Sequence, residues 1–300
     1  MKPRHIFGMI MLALIWGSIW MMQDALHHAV PPLRFMALSF LIGAALLLPF
    51  LSRQHIPSGT GLRASLILSA TMMALPTLLV FEAARYIAFS DYMLVSAALP
   101  LLLALMSRWM NPEHSVPRSA AQVMILGLGG VMLMLPSGIS LVFTWSRCLG
   151  VCSVVLAIVM QAGSYLYAKR TLRDVQPAAT ASIQLFFAGI ILGLCSFALE
   201  RGQTTAWNTP AQLALILSGL LGSAAAYWQL YALLQSLEAY QVSSIYMLVP
   251  IVSIAEGAIL LRAPLTWNLL VGAIAIVASV IFLLRVRTEE QEIIELRLSD

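Results

Sequence analysis

Long apolar runs, such as Ile6–Leu26 and Val242–Leu261, interrupted by short clusters of Pro, Gly and polar residues, set the pattern of this chain. A helix needs about 20 mostly apolar residues to cross the hydrocarbon core of a bilayer, whereas a barrel strand shows about ten alternating ones. Continuous runs of this kind predict helices. Ten are predicted, over residues 6–26, 33–51, 64–84, 91–108, 120–136, 148–168, 178–199, 211–234, 242–261 and 267–284. Clear breaks fall at Ser52–Gly61 and Arg201–Pro210, and Glu238 with two Gln marks the turn before the ninth run. Lys2, Arg4 and His5 precede the first run as in a signal peptide, but the run is too long for an h-region and lacks an A-x-A cleavage site. It is expected to be a retained helix.

Composition sharpens the class. Of 300 residues, 60% are hydrophobic and 10% charged, with a mean hydropathy of +0.89, against roughly half apolar and a quarter charged in soluble domains. A soluble enzyme, a nucleic-acid binder and a disordered scaffold are excluded. The basic excess, 17 Lys and Arg against 13 acids, therefore speaks of topology. With the N-terminus in the cytoplasm, Lys2, Arg4, Arg53, Arg63, Arg108, Arg118, Lys169, Arg170, Arg173, Arg285, Arg287 and Arg297 fall inside, against Arg34, Arg85, Arg147, Arg201 and Arg262 outside. The positive-inside rule then puts both termini in the cytoplasm. Short loops and the lack of a transit peptide point to a bacterial inner membrane.

The chain also repeats itself at an offset of about 145–150 residues. Pro100 falls on Pro250, Gly17-Ser18 on Gly163-Ser164, Pro32 on Pro177 and Gly43 on Gly189. The repeats are expected at 6–136 and 148–284, with a cytoplasmic tail over 285–300. Five spans in each make the second copy inverted relative to the first, which is a transporter architecture. The expected fold is thus all-α, a polytopic membrane protein of ten transmembrane helices in two inverted five-helix repeats. Pro100 and Pro250 are gating candidates, each expected to free a mid-helix carbonyl and permit a kink.

The stretches Gly222-Ser-Ala-Ala-Ala-Tyr-Trp-Gln-Leu-Tyr-Ala-Leu-Leu, Tyr240-Gln-Val-Ser-Ser-Ile-Tyr-Met-Leu-Val-Pro-Ile-Val and Ala263-Pro-Leu-Thr-Trp with Gly272 resemble the second repeat of EamA-type transporters, in the drug/metabolite transporter superfamily. Trp16-Gly17-Ser18 and Pro32-Leu33-Arg34-Phe35 resemble the first. The resemblance implies ten helices around a central cavity and export of amino acids, metabolites or drugs, with uptake in some members. Where the family often carries a Leu-Gly-Glu-Pro-like turn, this chain reads Leu261-Arg262-Ala263-Pro264.

Ionisable groups at membrane depth are costly and mark function by default. Glu256 is the deepest; a carboxyl there suits a proton-coupled cycle or recognition of a cationic group. Glu82 lies three residues before Arg85, the spacing of a local ion pair. Asp24 reads as an interfacial cap, and Arg34 as a snorkelling cation. Pockets combine apolar and aromatic walls with a few placed polar groups, which makes Trp16, Gln161, Ser164, Tyr165, Tyr227, Trp228 and Tyr246 substrate-binding candidates beside Glu256. Gly189/Gly193 and Gly219/Ser223 have the small-residue spacing of close helix contacts. Cys148 and Cys152 share a helical face with no His or acid near them, so packing is expected and no metal site; no cofactor is called for. The histidines lie in termini or loops, and no catalytic or Walker motif is present, which argues against an enzyme and against direct ATP drive. The expected function is a secondary transporter exporting amino acids or related amphipathic compounds by alternating access, with protons as a candidate coupling ion. Drug efflux, metabolite uptake and a non-transport assembly subunit stay open, as do monomer and homodimer.

Overall fold

The computed structural model describes residues 3–26, 30–51, 59–110, 116–134, 144–261 and 266–285. Among these residues every regular element is helical. The helices are α1 (Pro3–Leu26), α2 (Pro32–Leu47), α3 (Thr60–Ala83), α4 (Phe89–Ser96 continued by Leu99–Met110), α5 (Arg118–Met134), α6 (Trp145–Thr171), α7 (Pro177–Leu199), α8 (Thr209–Ser236), α9 (Ala239–Ser243 continued by Ile245–Leu261) and α10 (Trp267–Arg285). Eight are long and apolar enough to cross a membrane, and Arg4–Ile19 and Arg118–Met134 are shorter apolar helices. The chain is a multi-pass membrane protein. Lipid offers no hydrogen bonds, so each segment satisfies its own backbone as a helix. The Leu261-Arg262-Ala263-Pro264 turn beyond Leu261, the tail after Arg285, and the side chains of Trp20 and Asp24 lie outside the described residues.

Starts are set by local chemistry. Pro32 and Pro177 open α2 and α7 in the position where a helix amide has no internal partner. Asn208 accepts a hydrogen bond from the Ala211 amide at 3.0 Å, and Glu238 with Gln241 forms a capping box at the start of α9. Glu200 works across the fold. Its carboxylate, at the end of α7, accepts the amides of Leu33 (2.8 Å) and Arg34 (3.0 Å) and so caps α2 from outside.

Polar contacts define the two ends of the bundle. At the Pro3 end, Gln176 donates to the Phe50 carbonyl (3.0 Å), Gln235 to that of Val175 (2.7 Å) and Gln241 to that of Leu283 (3.0 Å). At the Pro32 end, Glu200 caps α2, and Arg147 pairs with Asp91 at 2.7 Å. Packing follows an exchange pattern. Helix α2 packs on α7 and α5 on α10; α2 packs on α8 as α7 does on α3, α1 on α9 as α6 does on α4, and α8 on α1 as α3 does on α6. Small residues permit the closest approaches. A Cβ on Gly272 would stand 2.5 Å from the Gly130 carbonyl, and one on Gly189 would stand 3.1 Å from that of Ala37. Gly219 presses on Ile42, whereas Gly193 has room, its Cβ falling 3.9 Å from that of Ala37.

Irregularities recur in both halves. Helix α3 widens to a π-helix over Ser69–Ala74, and α8 does so over Ser218–Ala225. Helix α4 breaks at Ala97–Ala98 and α9 at Ser244. Hydroxyls bond back to carbonyls beside the breaks: Ser96 donates to Met93 (3.0 Å), Ser243 to Tyr240 (3.0 Å) and Ser244 to Gln241 (2.7 Å). The two prolines are placed differently. Pro250 is inside a helix, as expected. Pro100 is not: it is the second residue of Leu99–Met110, where its missing N–H has no partner to lose.

Candidate functional site

A cavity lies between the halves, in the middle of the bundle and toward the Pro32 end. The first half contributes the later part of α1 (Trp16, Ile19), the start of α2 (Met36, Phe40), the stretch of α3 just past its wide turn (Pro76, Thr77, Val80, Phe81) and the first piece of α4 (Tyr92, Met93, Ser96). The second half contributes Gln161 of α6, the wide turn and following residue of α8 (Ser218, Gly222, Ser223, Tyr227) and the second piece of α9 (Tyr246, Val249, Pro250). The wide turn of α8 and both broken helices thus border the cavity, while the lining of α3 begins just past its own wide turn, an arrangement found where irregular backbone is tolerated in membranes.

An aromatic wall runs through it. The Trp16 ring meets Tyr227 edge-on at 5.9 Å between centroids and Tyr246 at a tilt at 5.7 Å, and Phe40 meets Tyr227 edge-on at 5.9 Å. Such edge-to-face contacts fix ring positions. Ser39, buried behind the wall, lies 2.8 Å from Ser218 and 2.9 Å from Ser223, tying α2 to the wide turn of α8. Among the described residues that line the cavity, none is charged. Its polar groups are the Gln161 amide and the hydroxyls of Ser96, Thr77, Ser218, Ser223 and three tyrosines. The arrangement can hold a small amphipathic molecule by ring contacts and neutral hydrogen bonds.

Five of the residues singled out in the sequence, Trp16, Gln161, Tyr227, Tyr246 and Pro250, meet at this cavity. Others do not. Ser164 donates to Thr71 at 2.9 Å, joining α6 to α3. Tyr165 is 1% exposed, inside the core. Trp228 turns outward, its ring 5.4 Å from that of Phe50. Glu256 accepts a hydrogen bond from Ser18 on the seam between α1 and α9, and Pro100 is buried and does not line the cavity. Glu82 and Arg85 form the expected local pair, at 3.4 Å on an exposed surface. Sequence reasoning missed Phe40, Phe81, Tyr92, Ser218 and Ser223. The spacing of Gly219 and Ser223 signalled close packing alone and gave no sign of a wide turn. It also missed two tethers on α6: Arg147–Asp91 at one end, and at the other Lys169, which donates to the Leu237 carbonyl (2.5 Å) and pairs with Glu238 (3.3 Å). Among the described residues no three His, Cys, Asp or Glu side chains gather as a metal site.

Comparison with known proteins agrees with this architecture. The model of the EamA-like transporter family matches the chain twice, over residues 4–135 and 148–285. The uncharacterized transporter YvbV of Bacillus subtilis (strain 168) is 26% identical over 93% of this chain and 91% of its own length. The uncharacterized transporter YoaV of the same organism is 22% identical over 91% of this chain and 94% of its own. Protein PagO of Salmonella typhimurium is 20% identical over 82% and 81%. One solved crystal structure superposes with a TM-score of 0.78 at 16% identity, covering 93% of this chain and 96% of that one, and shares its fold.

Proposed function

The chain belongs to the EamA-like transporter family, and from that membership and the cavity we propose that it is a secondary carrier of small amphipathic metabolites, exporting amino acids or related compounds by alternating access. One observation carries the substrate class: the wall joins Trp16, Phe40, Tyr227 and Tyr246 to the Gln161 amide and several hydroxyls, with no fixed charge among the described lining residues. Aromatic faces attract an ammonium group by cation–π contact, and amide and hydroxyl donors suit a carboxylate, so a zwitterion with an apolar side chain fits.

The ten helices are read as ten spans in two inverted repeats, 6–136 and 148–284. The exchange pattern of packing and the recurrence of wide turns and breaks support that reading. The excess of Lys and Arg in alternate loops supports cytoplasmic termini in a bacterial inner membrane. Glu256 is the ionisable group placed to couple a proton, through its bond to Ser18 across a seam between the halves.

Counterflow into proteoliposomes, with a labelled pool of amino acids and related metabolites, tests the carrier. Exchange of a defined subset, competed by its unlabelled form, is expected; silence across the pool removes the proposal. Gln161→Leu is expected to raise the half-saturation concentration about tenfold, from loss of one hydrogen bond of about 1.4 kcal/mol. For coupling, Glu256→Gln is expected to abolish accumulation driven by a pH gradient while leaving counterflow intact. Unchanged gradient-driven accumulation takes Glu256 out of the mechanism.

A further inference from the structure

The Ser39 hydroxyl sits where α2 crosses the wide turn of α8, and its company is unlike that of other buried serines. Ser182 and Ser279 each donate to a backbone carbonyl, that of Ala44 at 3.0 Å and that of Val123 at 2.6 Å. Among the described residues, Ser39, Ser218 and Ser223 bond only to one another, Ser39 lying 2.8 Å from Ser218 and 2.9 Å from Ser223. All three are buried, at 0%, 2% and 1% exposure. A hydroxyl carries one hydrogen and two lone pairs, so these mutual bonds leave most of the lone pairs unused. Crowded oxygen acceptors without donors are costly at membrane depth.

Backbone oxygens join them. An ideal Cβ on Gly43 would stand 3.2 Å from the Gly219 carbonyl, and one on Gly219 would stand 3.5 Å from the Ser39 carbonyl. Both carbonyls therefore lie in the same contact, and a carbonyl that accepts one helix bond keeps a second lone pair. Glycine permits the approach, since a Cβ on Gly43 would also fall 2.5 Å from that of Ser223. Among the described residues no acid takes part. Glu200 is occupied with the Leu33 and Arg34 amides and the Ser196 hydroxyl, and Glu256 with Ser18 on the seam of α1 and α9. Ser218 and Ser223 also line the cavity, from which the cluster can be reached.

We propose that the hydroxyls of Ser39, Ser218 and Ser223, with the carbonyls of Gly219 and Ser39, form a site for a Na+ ion in the wall of the cavity. Neutral oxygens suit a monovalent cation, whereas divalent ones are held largely by carboxylates. With the ion bound, the hydroxyl hydrogens turn away from one another and the oxygens face inward. The larger K+ would have to spread α2 from a turn that Gly43 and Gly219 hold close. Irregular helical backbone beside a cavity is where membrane carriers supply oxygen ligands to such ions. The site stands on this geometry alone; its use in transport rests on the carrier reading. Ser223 is one turn before Tyr227, so the ion supplies the positive charge that the described wall lacks and draws a substrate carboxylate toward α8. The ammonium group is left to Trp16 and Tyr246.

The test measures binding of radioactive Na+ to the purified full chain in detergent, without substrate. Saturable binding of a single ion per chain is expected, competed by unlabelled NaCl and not by KCl or choline chloride. Ser39→Ala and Ser218→Ala are each expected to weaken it about tenfold. Ser182→Ala, which removes another buried hydroxyl bonded to α2, is expected to leave it unchanged. Thermal unfolding in choline chloride shows that each variant is folded, and Na+ is expected to raise the midpoint of the unsubstituted chain and not that of Ser39→Ala. Binding that is absent, that KCl competes equally, or that survives both Ser39→Ala and Ser218→Ala overturns the proposal. Counterflow separates the site from the carrier reading. A half-saturation concentration about fivefold lower in NaCl than in choline chloride is expected, and equal values remove the ion from transport. Counterflow without any Na+ binding removes the site and keeps the carrier, whereas Na+ binding without any counterflow keeps the site and removes the carrier.

Discussion

Glu200 shows how one side chain places an element. Its carboxylate takes the Leu33 and Arg34 amides and the Ser196 hydroxyl, the last at 2.6 Å, while Arg34 reaches on to Thr205. An acid at a helix N-terminus satisfies orphan donors and the helix dipole together. Glu200→Ala is expected to cost about 2 kcal/mol, read as a lower midpoint of thermal unfolding in detergent, with Glu200→Gln losing less. The cap was invisible in the sequence because 166 positions separate the carboxylate from Arg34. Depth was legible at this scale, and azimuth was not. Trp16, Gln161 and Tyr227 read as deep in their spans, and all three border the cavity. The same reading gave Trp228 and Glu256 equal standing, yet one faces Phe50 and the other a seam. A nearly uniform apolar rod carries no polar stripe to say which side faces inward.

The helices themselves were legible to within a few residues, because bilayer thickness fixes the length of an apolar run. The breaks in α4 and α9 were not, since Ser and Ala at Ser96–Ala98 and Ser243–Ser244 are ordinary helix residues whose hydroxyls happen to take up carbonyls. Between α5 and α10 the backbones touch through Gly130 and Gly272. Gly272→Ala puts a methyl against a carbonyl that cannot yield, and a loss of about 1–3 kcal/mol in stability is expected, with the half-saturation concentration unchanged because neither glycine borders the cavity. The two tethers of α6 act at opposite ends. Lys169→Met removes the one at the Pro3 end, a partly exposed pair worth about 0.2–1 kcal/mol.

At the scale of the whole molecule, the helix packing keeps its pattern when the halves are exchanged, which supports the duplication proposed from a few matched prolines and glycines. The family was legible because its signatures lie in continuous stretches. Substrate identity was not, because the wall is assembled from seven helices and from neutral groups that serve many ligands. Orientation rests on loop charge alone, and a reporter fused after Asp300 tests it: fluorescence from a protein that matures only in the cytoplasm is expected, and activity from a phosphatase that folds only outside would reverse the assignment.

The π-helical segment Ser218–Ala225 has a consequence of another kind. One residue on an α-helix is worth about 100° of rotation, and a π-turn takes in one residue more than an α-turn. It therefore acts as a phase shifter, setting the angle between the face presented before Ser218 and the face presented by Tyr227. Remove one residue from it and that angle changes by about a quarter-turn, although almost every amino acid of the wall is still present. This part of the protein is encoded as much in how many residues there are as in which ones.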